Sequence, residues 1–389
     1  MSWYDGRLDA GLRYAAAAAA VECEDKHELC APVPFWHVAL LIKAREVEDA
    51  WRALNSLEAN GEGPKSPRMA ATWHLIRGEL LFAMGRVDDG LADVNAGLRI
   101  AERCGDRASL PSGYVVMALG ALRRADMRTC QHFVDKLTGE ALLGYFGQAA
   151  GAWMTAQVAE ARSGVESVAG LIVGIVTHPL VLRQLLVSQP AAASWLVRAA
   201  RKLGADDLAN DVVSAVRASS AEQPRFEVIR GSAAHAAGLL ESDAGMLLEA
   251  ANRHPDRWCA ASAREDLADL LAKRRSERDG TIRAFESALD TYTAVGATRD
   301  ASRVVNKLRD FGVRRGANRA VERAGDLPHG LTDTEFAVAE LVSQGYTNNE
   351  VGRQLFISRH TVAFHLKKVY QKMSVGSRVA LAATWKAIR

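Results

Sequence analysis

The chain has 389 residues, 49 % of them apolar, and a net charge of only +3, which allows two or more domains or one extended array around a sizeable core. Its five cysteines are scattered, which excludes a disulfide-stapled fold and fits reduced thiols in the cytoplasm. The charge is unevenly placed: Val351 to Arg389 holds eight Lys and Arg and no acid, so a polyanion-binding end follows a near-neutral body.

Near the N-terminus the run Ala15–Ala20 lies between Arg13 and Glu22 and reads as helix, not as a secretion leader. Cys23, His27 and Cys30 are spaced i, i+4 and i+7, so on one helix they would share a face suited to zinc. Three local ligands are one short, and Pro32 and Pro34 end the helix. They read as buried thiols, and no metal is expected.

Short turns then recur along the body, as "DGRLDAGL", "AREVEDAW", "MGRVDDGLADV", "RADMRTCQ", "RSGVESVAGL", "LGADDLANDV", "LESDAGMLLEA" and "SERDGTIRAFE". Aligned on Gly85, they fall at Gly6, Arg45, Gly85, Ala125, Ser163, Leu203, Glu241 and Ser276, 35–40 residues apart. A period near 40 with one helix pair per unit predicts an all-α fold, an α-solenoid of about eight helix pairs over residues 1–311. Acids open each second helix, where the helix dipole favours them. The pattern resembles tetratricopeptide-like repeats with a longer period, and such an array offers a concave surface to a ligand or partner. An aromatic recurs early in the first helices, at Trp36, Trp73, Tyr114, Trp153 and Trp195, and reads as packing between repeats.

"LIVGIVTHPLVLRQLLV" (Leu171 to Val187) is the most apolar stretch, but His178, Pro179 and Arg183 interrupt it. It reads as a buried helix pair and not as a membrane span. "GEGPKS" (Gly61 to Ser66) lacks the spacing of a phosphate-binding loop, and no other catalytic motif appears, so neither an enzyme nor a cofactor is expected.

A basic linker, 312–327, carries Arg314, Arg315, Arg319 and Arg323 and leads to a domain at 328–389. Thr332 with Glu335 forms a capping box, with Leu331 placed to staple Phe336. That helix stops at Gly345. Thr347 with Glu350 repeats the box, and Ser358 caps a third helix, with Ile357 placed to staple Val362. A fourth helix starts at Ser377. Two helices joined by a short turn and followed by basic residues make a helix-turn-helix. At 100° per residue, Val362, Leu366, Val369 and Met373 share one arc of the third helix, which must face the core. His360, Phe364, Lys367 and Gln371 lie opposite, with Ala363, Lys368 and Arg359 beside them. Phe364 could therefore meet a thymine methyl or a base edge in a major groove, or serve in dimer or inter-domain contact.

From Leu331 to Ala383 the chain resembles the LuxR-type DNA-binding domain. The pattern lies in Leu331-Thr332, Glu335, Val338, Gly345, Asn348, Glu350, Leu355, Ile357-Ser358, Thr361-Val362, His365, Lys372, Val375 and Arg378. The resemblance implies a four-helix domain whose third helix enters the major groove and whose fourth dimerises. It also implies phosphate contacts by Ser358, Thr361, Lys368 and Lys372, and an internal pair between Arg378 and Glu335. The DNA-binding set is then Ser358, Arg359, His360, Thr361, Ala363, Phe364, Lys367, Lys368, Gln371 and Lys372. Ala363 stands where the family usually has lysine, Phe364 where it has a small or β-branched residue, and Thr334 and Ala337 also depart. Lys367 is kept. Positioning residues survive while base-reading ones change, which implies an unusual target or reduced base specificity.

Ala288 to Gly316 is similar to the end of the helical sensor in the large ATP-binding LuxR-type regulators, whose ATPase domain has no counterpart here. The expected function is a sequence-specific transcription regulator. It would bind double-stranded DNA as a homodimer and engage RNA polymerase, with an effector on the repeats. A protein-interaction scaffold with a DNA-binding end of low base specificity is the alternative.

Overall fold

The computed structural model describes residues 3, 6–21, 33–59, 63–140, 145–274, 277–313, 331, 333–355 and 359–388. Of the side chains there, it leaves out those at 140, 145–148, 333–334, 353, 360–361 and 387–388. Helices α1 (Leu8–Ala19), α2 (Val33–Ala44), α3 (Val47–Ala59), α4 (Pro67–Ala83) and α5 (Val87–Cys104) come first. They are followed by α6 (Leu110–Arg123), α7 (Met127–Glu140), α8 (Tyr145–Ser163), α9 (Ala169–Val176) and α10 (Pro179–Ser188). Then come α11 (Ala192–Lys202), α12 (Asp206–Glu222), α13 (Glu227–Glu241), α14 (Ala244–Arg253), α15 (Arg257–Ala272) and α16 (Arg278–Ala294). These belong to one compact unit, Met1–Ala297, and the second unit is Thr298–Arg389. The second holds α17 (Thr298–Asp310), α18 (Asp333–Ser343), α19 (Asn348–Leu355), α20 (Arg359–Lys372) and α21 (Arg378–Ile388). The sequence reading ends the repeats near residue 311, whereas the second unit begins one helix earlier, with α17 approaching α19. No strand occurs among the described residues.

The 40-residue period has a backbone cause. Gly6, Arg45, Gly85, Ala125, Gly164, Gly204 and Ser242 all have φ between 55° and 90°, at intervals of 38–40 residues. Most close a helix in the same way. Gly85 N–H donates to Phe82 O and Arg86 N–H to Leu81 O, and the same two bonds recur at Arg45 and Glu46, at Ala125 and Asp126, and at Gly204 and Ala205. This six-to-one and five-to-two pattern absorbs carbonyls that the helix end leaves without partners. The next helix starts two residues later, except after Gly164, where a helical turn starts at once with Val165. Asp88 and Asp89, or Asp206 and Asp207, then sit in its first turn. Three of the aligned positions, Ser163, Leu203 and Glu241, prove to be one residue early. The left-handed residue is the next one, and Ser276 lies outside the described residues.

Close packing of a pair also depends on absent side chains. A Cβ on Gly78 of α4 would lie 2.7 Å from Gly90 O on α5, and one on Gly90 would lie 2.7 Å from Gly78 O. Backbone therefore meets backbone at that crossing, and any larger residue would push the helices apart.

The array also closes on itself, which the sequence reading of an open concave surface did not include. Arg45 Nε donates to Asp256 Oδ2 at 3.0 Å, across 211 residues. The Arg123 guanidinium lies over the rings of Phe82, 5.1 Å away, and Trp258, 4.7 Å away. Trp3 meets Phe226 edge-on at 6.4 Å, within one apolar cluster that joins Phe35, Trp73, Val187 and Ile229. Arg45 takes the left-handed conformation that glycine takes at positions 6 and 85, at a cost of roughly 1–2 kcal/mol. Its guanidinium, bonded to Ile42 O at 2.8 Å as well as to Asp256, gives the reason a side chain is kept there.

A buried polar seam surrounds this closure. Asp256 caps α15 by accepting from Cys259 N–H at 3.0 Å, and its own N–H donates to His254 Nδ1 at 3.1 Å. Burial pushes His254 down to about 4, against the opposing pull of Asp256. Burial alone would raise the Asp256 carboxyl. Arg45, then Arg123 and His254, outweigh it and hold the group below its ordinary value. Nearby, His235 Nε2 lies 2.7 Å from Asp266 Oδ2, and Arg198 donates to Ser262 Oγ at 2.8 Å.

Of the recurring aromatics, Trp73, Tyr114 and Trp153 are buried, and Trp195 is partly buried with its Nε1–H donated to Glu160. Trp36 faces outward. Cys130 and Cys259 are buried thiols, while Cys23, His27 and Cys30 lie outside the described residues. No single helix among the described residues is long and apolar enough to cross a membrane. The Leu171 to Val187 stretch forms α9 and α10, but it is buried on one side only. Leu171, Val173 and Leu180 are exposed because α9 packs on the unit through Ile172, Ile175 and Val176 and turns its other face away.

Candidate nucleic-acid interface

The second unit builds its helix-turn-helix from local signals. α18 ends at Gly345, whose φ is 96°, with Gly345 N–H donating to Val342 O and Tyr346 N–H to Leu341 O. Two residues later Thr347 opens α19 with a closed capping box. Thr347 N–H donates to Glu350 Oε2 at 2.7 Å, and Glu350 N–H donates to Thr347 Oγ1 at 3.4 Å. Ser377 caps α21 by accepting from Ala380 N–H at 3.1 Å. The caps predicted at Thr332 and Ser358 fall on residues outside the description.

α20 is anchored by one stripe. Val362, Leu366, Val369 and Met373 are all buried, in a core shared with Leu331, Val338, Val342, Val351, Leu381 and Trp385. Phe336 packs on Trp385 with ring centroids 5.0 Å apart, joining the first and last helices of the domain. On the opposite face Ala363, Phe364, Lys367, Lys368 and Gln371 are exposed, as is Arg359 at the start of the helix. Phe364 is 56 % exposed. Lys368 Nζ sits 4.6 Å over its ring, so the aromatic and the cation form one surface feature. The side chains of His360 and Thr361, and all of Ser358, are outside the described residues.

Inside the domain two expected contacts change. Arg378 does not reach Glu335. Standing at the first position of α21, it lies beside the α18–α19 turn and donates to Tyr346 O, and to Asn348 Oδ1 at 3.3 Å. Glu335, 3 % exposed, takes Lys372 Nζ at 2.6 Å. Lys372, itself exposed, is thus tied to an internal carboxylate. His365 lies between the two faces. Burial lowers its pKa, against the opposing charge of Glu335, which favours a neutral ring.

Residues 329–384 match the family model described as bacterial regulatory proteins, luxR family. The C-terminal domain is a LuxR-type helix-turn-helix. A protein of Mycobacterium bovis named as an HTH-type transcriptional regulator is 47 % identical over 51 residues, which are 13 % of this chain and 6 % of that protein. The nitrate/nitrite response regulator protein homolog of Haemophilus influenzae is 42 % identical over 50 residues, 13 % of this chain and 24 % of the relative. The transcriptional regulatory protein LiaR of Bacillus subtilis is 35 % identical over 83 residues, 21 % of this chain and 34 % of the relative. The similarity therefore covers a minor part of each relative's length.

Sequence reasoning missed Arg45, Asp256 and His254, which organise the repeat unit. The signal was present: an arginine stands at a turn position where the aligned repeats carry Gly6 and Gly85.

Proposed function

We propose that the chain is a sequence-specific transcription regulator whose LuxR-type domain reads duplex DNA with α20 and whose helical-repeat unit carries the regulatory input. One observation supports this most: Phe364, Lys367 and Gln371 stand exposed in a row opposite a fully packed stripe. A helix held this way can enter a major groove without disturbing its own core. Lys367 suits a guanine edge, Gln371 an adenine edge, and Phe364 a thymine methyl. Lys368 and Arg359 flank the row and suit phosphates, which fix register without reading sequence. Two copies, paired through α21, would place two such helices on half-sites about one helical turn apart. Val379, 80 % exposed on α21, is available for that pairing.

On the repeat unit, the contacts between distant repeats favour an input received on the outer surface over a ligand held in an open groove. The test is selection of bound duplexes from a random pool by the full chain. Regulation predicts one preferred site, at least about a thousandfold above bulk DNA. A scaffold with a weak DNA-binding end predicts steep salt dependence and no consensus.

A further inference from the structure

Phe364 puts an apolar ring on the outward face of α20. It stands two residues from each of Val362 and Leu366, which are buried, so its ring projects from the opposite side of the helix. The ring is 56 % exposed, and two neighbours restrict its orientation. Lys368 Nζ lies over one face, 4.6 Å from the centroid, and the His365 ring meets it at 5.7 Å and 73°. Ala363, beside it, is exposed as well. Neither Ala363 nor Phe364 carries a side-chain hydrogen-bond donor or acceptor.

We propose that Phe364 makes DNA binding respond to cytosine methylation. The ring reads the C5 methyl of a pyrimidine, so 5-methylcytosine is favoured over cytosine at the pair where thymine is favoured over uracil. The inference rests on the regulator reading, in which α20 lies in a major groove. In that groove thymine shows a C5 methyl and a carbonyl acceptor at position 4. Cytosine shows an amino donor at position 4 and no methyl. A side chain with a donor or an acceptor separates the two by position 4. A hydrocarbon ring makes no such bond, so the C5 substituent is what it distinguishes. Methylation of cytosine adds that substituent and leaves position 4 as it was. Burying one methyl group contributes about fourfold in affinity. Affinity for a site with cytosine at that pair then depends on whether the DNA has been methylated there, which gives the regulator an input separate from its repeat unit.

The test is fluorescence anisotropy of the full chain on the duplex selected from the random pool. Each pyrimidine position in turn carries thymine, uracil, cytosine or 5-methylcytosine, with the matching purine opposite. At one pair per half-site, thymine is expected to bind about fourfold tighter than uracil, and 5-methylcytosine about fourfold tighter than cytosine. In Phe364→Ala both differences are expected to vanish. Because the ring is exposed, that variant should keep the native circular dichroism and melting temperature. Equal affinities with and without the methyl at every position overturn the inference. So does a native difference that survives in Phe364→Ala, since another group then reads the methyl. A preference for thymine over uracil with no gain from cytosine methylation also overturns it, because position 4 is then being read. Failure of the pool to yield a preferred duplex removes the regulator reading and this inference together. A preferred duplex whose affinity ignores every C5 methyl removes this inference alone.

Discussion

Arg45, at the turn between α2 and α3, and Lys367, midway along α20 of the LuxR-type domain, are both cations, but their surroundings are opposite. Arg45 is turned inward against Asp256, and Arg123 is held between two aromatic rings. Lys367 stands in solvent on a stretch that has no acid from Val351 to the C-terminus. A buried pair loses its hydration and contributes little net stability, but removing one partner leaves a charge stranded. An exposed cation contributes little to folding and much to binding a polyanion. Charge therefore specifies architecture in the first unit and recognition in the second, and mutations in the two should separate cleanly.

The largest effect is expected from Asp256→Ala, which strands Arg45 and removes the cap of α15. Urea unfolding of the repeat unit should show a loss of about 3–5 kcal/mol, with the selected DNA sequence unchanged. Acid should act on the same seam. The folded pKa of His254 is depressed to about 4 from 6.5, so its contribution is complete above pH 6.5 and fades as pH falls towards 4, because the unfolded chain takes up the proton first. Calorimetry should show about 3 kcal/mol lost across that window, and His254→Gln should flatten it. A smaller effect is expected in the second unit. Thr347→Ala opens the capping box of α19 and should cost about 1 kcal/mol, read as a lower melting temperature of the LuxR-type domain with the repeat unit unaffected. The smallest is Lys368→Ala. Folding should be untouched, and the slope of log affinity against log salt should fall by about one phosphate contact.

Features set by neighbouring residues were legible in the sequence. The Thr347–Glu350 box, the stop at Gly345, the helix start at Ser377 and the Val362, Leu366, Val369, Met373 stripe all follow from rules that act within one or two turns. The 40-residue period was legible for the same reason: each repeat needs one left-handed residue, and glycine occupies several of those positions. Closure of the array was not legible, because Arg45 and Asp256 are 211 residues apart and no local pattern records their meeting. The exchange of partners at Glu335 has a similar origin. Lys372 and Arg378 are both plausible by distance along the chain, and only the packing of α18 on α20 and α21 decides that Lys372 arrives. The exposed side of α9 was hidden by composition, since an apolar run reads as buried until its neighbours are known.

The most direct test of the central claim, that the outward row of α20 reads bases, is binding of Lys367→Ala to the selected duplex and to every single-base variant of it. Base reading predicts that preference relaxes at one base pair per half-site, by about 1–3 kcal/mol, while the other positions keep their order. Equal weakening on every sequence would place Lys367 on phosphate and contradict the claim.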